Sequence, residues 1–393
     1  MNFEHSLSDG VLTVKLAGRI DSGNAAEVEK AIAEIRGANP ASSLVFDCEE
    51  LAYISSAGLR VILRCKKSVK DTSLINVSSE VYDIFDMTGF VEMMDVRKAY
   101  RVLSVEGCEV IGEGANGKVY RIDRDTIVKA YLNPDALPEI HRERELARTA
   151  FVLGVPTAIP YDVVRLEGGG YGSVFELLNA KSLAKLIATG EMSLDEAAKM
   201  SVELLKIIHS TVVKPDAMPD MRAVALDWAD FLKDYLAPEY AEKLCALVEA
   251  VPADNHMMHG DYHIKNVMLQ NGEALLIDMD TLCHGHPVFE LASMYNAYCG
   301  YLDLDHDMAR RFLGISYEDA VAFWDKSLRL YFDGADEETL REIEQKAMIV
   351  GYMRIMRRRI RRKGFESEAG RAEIENCRRH LEELLPKVDS LLF

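Results

Sequence analysis

Long apolar runs are missing from this 393-residue chain. None approaches the ~18 residues that would cross a bilayer as a helix. The opening MNFEHSLSDG has neither the basic flank nor the apolar stretch of a signal peptide. Cysteine is sparse: seven residues, an odd number with no CxxC spacing, which argues against a disulfide framework and for reduced thiols. Positive charge is in deficit, with 46 Lys and Arg against 64 Asp and Glu and a formal net charge of −18. Such a surface repels a phosphate backbone, so a general nucleic-acid binder is disfavoured as well. What remains is an acidic, soluble, cytoplasmic chain with 49% hydrophobic residues, long enough for two or three domains with their own cores.

The first hundred residues alternate strand and helix signals. VLTVKLAGRI (11–20) alternates Leu12, Val14 and Leu16 with polar Thr13 and Lys15. Val28, Ile32 and Ile35 recur at helical spacing, SLVFD (43–47) reads as a buried strand, and GLRVILRCKK (58–67) as a helix. After LINV (74–77), Ser78 or Ser79 can cap a helix carrying Val81, Ile84 and Phe85, closed by Gly89. Strands with intervening helices predict a small α/β sheet domain.

GRIDSGNA (18–25), LAYISSAGLRVIL (51–63) and INVSSEVYDIFDMTGF (75–90) together resemble the STAS domain of anti-sigma-factor antagonists. The resemblance covers about 1–104 and implies a partner of anti-sigma type. It also implies a phosphorylation switch at the serine opening the helix after the third strand, which by position is Ser56. Phosphate there would meet a helix dipole and free amides while placing about two negative charges on a docking surface. Ser55 stands where the family has an acid and Ala57 where it has a second hydroxyl. Capping of the helix by Ser55 and Ser56 is the alternative role.

Further along, VML (267–269) and ALLI (274–277) flank Asn271-Gly272, a strong two-residue hairpin signal. The register then pairs Leu269 with Ala274 and Asn266 with Ile277, which brings Asn266 and Asp278 together at the open end. Asp261, in the loop just upstream, can reach the same end. Three oxygen-bearing side chains suit a hard cation such as Mg²⁺. Zinc would need His259 and His263 on one helical face, which Gly260 and the run into a strand oppose. His284 and His286 lie in CHGHP, which reads as a loop.

Upstream, VIGEGANGKVYRI (110–122) places G-x-G-x-x-G between two strands. A Rossmann glycine loop opens a helix instead. A turn at Asp123-Arg124-Asp125 leads to IVKAY with Lys129, the arrangement seen in kinases. Backbone amides of Gly112, Gly114 and Gly117 can approach phosphates, and Lys129 adds a positive charge. The following helix, HRERELARTAFVLG (141–154), should supply a glutamate to hold that lysine: Glu143, with Glu145 as runner-up.

The order of glycine loop, lysine, helix glutamate, HGDYHIKN (259–266) and IDMD (277–280) resembles aminoglycoside and choline phosphotransferases over about 107–393. That resemblance implies a bilobal protein-kinase-like fold, with an N-lobe near 107–180 and a C-lobe near 181–393. It implies that Asp261 orients or deprotonates an acceptor hydroxyl, that Asn266 and Asp278 bind Mg²⁺, and that Asp280 assists a second metal. Glu290, in GHPVFELA (285–292), replaces the usual Asp before Leu-Ala.

In the C-terminal third, Ser193 and Glu196 form a capping box. A later helix, 339–363, carries an apolar stripe (Ile349, Met353, Met356, Ile360), and seven of its residues 354–363 are Arg or Lys. This basic end is either a solvated face, or an anion-binding wall for a phosphorylated or carboxylated acceptor, or a receiver for the acidic N-terminal domain. The expectation is an ATP- or GTP- and Mg²⁺-dependent kinase of a small hydroxyl acceptor, regulated or localised by its STAS domain. The rivals are a nucleotide-sensing regulatory protein without catalysis and a kinase acting on a protein, Ser56 included.

Overall fold

The computed structural model describes residues 3–114 and 117–393. Ala115 and Asn116, the two positions inside the glycine turn, lie outside the described residues. The chain divides into two compact units, Met1–Ser104 with Val163–Gly169 and Val105–Asp162 with Gly170–Phe393.

The first unit runs β1 (His5–Ser8), β2 (Val11–Ile20), α1 (Ala25–Ala38), β3 (Ser43–Ile54), α2 (Ser56–Ser68), β4 (Asp71–Val77), α3 (Ser79–Met87) and β5 (Asp95–Lys98). Its sheet has the order β1-β2-β3-β4-β5. Only the β1–β2 pair is antiparallel; the others are parallel, as crossover helices require. The alternation in β2 decides which face is buried: Leu12, Val14 and Leu16 are sealed in the core with Val28 and Ile32 of α1. β3 continues well past SLVFD because Leu51 and Ile54 return to the core after the Glu49-Glu50 interruption, and the ladder with β2 absorbs the break as register shifts. Ser78 caps α3 by accepting the Val81 N–H at 3.4 Å, and Gly89 leaves the helical region with φ +74°.

The second unit opens with β6 (Glu109–Glu113), β7 (Gly117–Arg121) and β8 (Thr126–Tyr131), then α4 (Leu137–Val152) and β9 (Tyr171–Glu176). Within this unit the strands follow the order β9-β8-β7-β6, all antiparallel, so β8 is held on both sides. The helix α4 starts earlier than the sequence reading placed it, because Pro138 in the first turn has a φ already suited to a helix.

Beyond β9 the unit is mainly helical, with α5 (Leu194–Ser210), α6 (Met221–Leu232), the hairpin β10 (Val267–Gln270) and β11 (Glu273–Leu276), then α7 (Val288–Tyr298), α8 (Glu337–Arg361) and α9 (Glu368–Leu384). The Ser193–Glu196 capping box is present at α5. Every residue of α7 is buried, as expected of a helix enclosed on all sides. Cys283–His284 is a short strand and not the loop expected from CHGHP, because the buried pair Met257–Met258 needs a backbone partner and takes this one. Among the described residues no helix is long and apolar enough to cross a membrane.

Candidate active site

Lys129 sits in the middle of β8, between Ser173 of β9 and Val119 of β7. Its ammonium donates to Glu143 of α4 at 2.9 and 3.2 Å and to Asp278 at 2.7 Å. Glu143 is buried whereas Glu145 is exposed, so only Glu143 faces the strand. Tyr131, two residues after Lys129 and therefore on the same strand face, donates its hydroxyl to the same Glu143 carboxylate. Burial alone would lower the Lys129 ammonium, but Glu143 and Asp278 outweigh it and hold its pKa above the ordinary range. The Lys129 ammonium is therefore held protonated.

The hairpin has the expected register, with Val267 opposite Leu276 and Leu269 opposite Ala274. Asn271 and Gly272 both take positive φ, as this two-residue turn demands. The Ile277 N–H donates to the Asn266 carbonyl at 3.0 Å, extending the ladder by one rung. Asp278 follows in the left-handed region, with φ +63°, half exposed and turned toward Lys129. Burial and the neighbouring Asp278 push the Asp280 carboxyl up to about 6. A cavity of about 400 Å³ opens here, lined by Tyr131, Asn133, Glu139, Arg142, Glu143 and Asp280.

The loop carrying Asp261 is held through its backbone. Glu290, buried in α7, accepts the N–H groups of His259 and Gly260. On the other side of the same residue, the Gly260 carbonyl accepts from Ser293 at 3.1 Å and from Arg354 at 3.0 Å. Position 260 cannot carry a side chain, since φ is +81° and a Cβ would lie 2.3 Å from the Thr281 carbonyl. The longer Glu290 thus reaches both amides from α7.

His259 is sealed inside and its ring is committed to the loop. Nδ1 accepts the Asp261 N–H at 3.3 Å, and Nε2 donates to the Ile277 carbonyl at 3.1 Å. Burial lowers its pKa and keeps it neutral, in keeping with those two roles. The Asn266 side-chain amide donates to the Asp261 carbonyl at 3.0 Å. The Asp261 carboxylate is half exposed and lies 3.6 Å from His263. Burial would raise its carboxyl, but His263 and Arg354 overcome that and bring it down to about 2.

At the glycine turn the Gly114 N–H donates to the Gly117 carbonyl at 3.0 Å, closing the β6–β7 hairpin. Gly117 is required by packing, because a Cβ there would lie 2.2 Å from the Ala130 carbonyl. Gly112 and Gly114 meet no such obstacle. Ser56 belongs to the other unit, exposed at the first position of α2, while Ser55 does the capping by accepting the Ala57 N–H at 3.2 Å.

The structure therefore joins Lys129, Glu143 and Asp278 in one chain of ion pairs, and joins Asp261 with Asn266 in one loop. Sequence reasoning missed Tyr131 and Ser293; it weighed His263 only as a zinc ligand and Arg354 only as part of the basic stretch 354–363. Strand alternation could have found Tyr131. The contact of Arg354 with the Gly260 carbonyl carries no local signal, the two lying 94 residues apart.

The STAS domain family matches residues 2–103. BtrV of Bordetella bronchiseptica, described as a candidate anti-sigma factor antagonist, is 33% identical over 92 residues, covering 22% of this chain and 78% of that protein. Among solved structures, the aminoglycoside phosphotransferase APH(4)-Ia overlays with a TM-score of 0.49 at 12% identity, over 72% of this chain and 93% of its own. A choline/ethanolamine kinase family protein from Mesorhizobium loti gives 0.46 at 14% identity, over 72% and 89%. The phosphotransferase enzyme family matches residues 107–324, more than half of the chain. With a STAS domain ahead of these residues, the protein belongs to the phosphotransferase enzyme family.

Proposed function

We propose that the protein transfers the terminal phosphoryl group of ATP or GTP to a hydroxyl of a small molecule, and that its STAS domain regulates or localises this activity. The observation that carries the reading is the Lys129–Glu143–Asp278 chain, in which a strand lysine, a buried helix carboxylate and the first Asp of IDMD meet. In such a site catalysis rests on positioning and charge neutralisation. Lys129 steadies the nucleotide phosphates, and the backbone at Gly112, Gly114 and Gly117 lets them approach closely.

The donor set fits magnesium. Asn266, Asp278 and Asp280 supply only oxygen ligands, and the Asp280 carboxyl, raised first by burial and then by Asp278 beside it, is a group whose charge a bound cation would favour. When bound, the ion would neutralise charge on the transferring group. Asp261, held ionised, is suited to accept a hydrogen bond from the acceptor hydroxyl and aim its oxygen at the phosphoryl group. With so low a pKa it serves as an orienting acceptor, taking the proton only as the new O–P bond forms and the nucleoside diphosphate departs.

The test is a screen of hydroxylated metabolites for acceptor-stimulated nucleotide turnover, with Asp261→Asn as partner. That variant should lose at least a hundredfold in kcat and keep its nucleotide affinity. Loss of nucleotide binding in parallel would make Asp261 a fold determinant or metal ligand.

A regulatory reading is favoured by the likeness of the first unit to BtrV. In it, an anti-sigma-type protein docks on the STAS domain, and Ser56 is the modification site, exposed and free of the capping duty that Ser55 performs. Ser56→Asp should then change turnover or partner binding where Ser56→Ala does not. Identical behaviour of both variants and wild type would remove the switch.

A further inference from the structure

The basic end of α8 is not uniform. Arg357 is paired with Asp227 at 2.8 Å, Arg359 with Glu373, and Lys363 with Glu366 at 3.8 Å. These three are neutralised. Arg354 and Arg358, one helical turn apart on the same face, have only neutral hydrogen-bond partners among the described residues. Arg354 donates through Nη1 to the Gly260 carbonyl and the Ser293 hydroxyl, and Arg358 donates through Nη1 to the Tyr301 hydroxyl at 2.8 Å. Each guanidinium also faces an aromatic ring, Trp228 at 5.7 Å and Tyr301 at 5.6 Å. Aromatic faces fix a guanidinium plane without neutralising it. In a chain of net charge −18 with carboxylates in excess, two neighbouring arginines with no carboxylate in hydrogen-bond or ion-pair contact are notable; Arg354 stands beside the residue preceding Asp261 and favours the charge of Asp261 and Glu290 only from beyond that range.

We infer that Arg354 and Arg358 form the anion-recognising wall of the acceptor site, and that the acceptor is a small hydroxylated compound bearing a carboxylate or phosphate group. The inference rests on the phosphotransferase reading for its acceptor, though not for its anion. Arg354 touches the carbonyl next to Asp261, so an anionic group held by the pair lies close to the loop that receives the hydroxyl. Each guanidinium keeps Nη2 and Nε for a planar or tetrahedral oxyanion, the geometry arginine matches best. The same field repels a polycation, which sets the site against aminoglycosides.

The probe is inorganic sulfate, followed by tryptophan emission. The chain has two tryptophans. Trp324 is buried with its indole N–H on Glu344, so Trp228 is the reporter, and Trp228→Phe identifies its signal. Sulfate should change the emission saturably. Arg358→Ala should weaken that response at least tenfold, Arg358→Lys less, and Arg359→Ala should leave it intact. A flat sulfate titration, or equal responses in Arg358→Ala and Arg359→Ala, overturns the inference.

Acceptor turnover is then compared for hydroxy acids and sugar phosphates, neutral polyols, and cationic alcohols. Turnover of the anionic class, with sulfate competing against acceptor and not against nucleotide, supports the inference and separates carboxylate from phosphate. Turnover confined to neutral or cationic compounds sinks it while the phosphotransferase reading stands. Sulfate binding with no turnover in any class supports the anion site and counts against that reading.

Discussion

Lys129 and Glu290 illustrate two ways in which one side chain organises a site. Lys129 lies on a strand, and its charge is matched by two carboxylates from elsewhere in the chain. Truncating its buried partner, Glu143→Ala, leaves both the ammonium and the Tyr131 hydroxyl without that partner. The expected cost is about 3 kcal/mol in urea unfolding, the scale for breaking a buried pair; a loss below about 1 kcal/mol would mean that Asp278 alone suffices. Glu290 is buried, and burial pushes its carboxyl up to about 7 despite the two amides and Arg354 that favour its charge. Below its ordinary 4.5 the group is protonated in folded and unfolded chains alike and costs nothing. As pH climbs from there to about 7 the unfolded chain sheds the proton first, so this contribution falls with rising pH and then levels off. Glu290→Gln should flatten that slope in the urea midpoint, and parallel profiles would refute it. Residue identities were legible only where a local rule ties type to place. HGDYHIKN and the strand lysine announce themselves, whereas the grip of Arg354 on Gly260 arises only once α8 has packed against the loop carrying Asp261.

Elements were more legible than contacts, because turns, caps and alternation are short-range rules. Asn271-Gly272 dictated the hairpin register, and Ser193 with Glu196 dictated the start of α5. Ser193→Ala should therefore cost about 1 kcal/mol, the usual worth of an N-cap, read as a lowered Tm of the larger unit. No change would mean that packing alone sets the helix end. Where short-range rules gave the wrong answer, a partner was responsible. Cys283–His284 became a strand through Met257–Met258, and β3 ran past SLVFD because β2 continued beside it and Leu51 and Ile54 re-enter the core.

At the scale of the molecule, the buried clusters of the two units share no residue. Each has its own reason to fold, so calorimetry should give two transitions. Magnesium nucleotide should raise the one belonging to the larger unit by mass action and leave the other in place. One transition that moves as a whole would mean that the units unfold together. The phosphotransferase reading also predicts strong metal dependence: chelation should weaken nucleotide binding at least tenfold, with no stoichiometric zinc in elemental analysis. Bound zinc lost on His259→Ala would contradict the committed ring nitrogens described above.

The backbone at Gly260 has a consequence for inheritance. Every glycine codon mutates by a single base only to another glycine codon, to a stop, or to a codon for a residue with a Cβ. At 260 that carbon would press into the Thr281 carbonyl, so all such missense alleles should behave as nulls. Gly37, exposed in α1 with nothing within 4 Å of a would-be Cβ, should accept alanine freely. A saturation library under selection would show the contrast as a silent column beside a populated one.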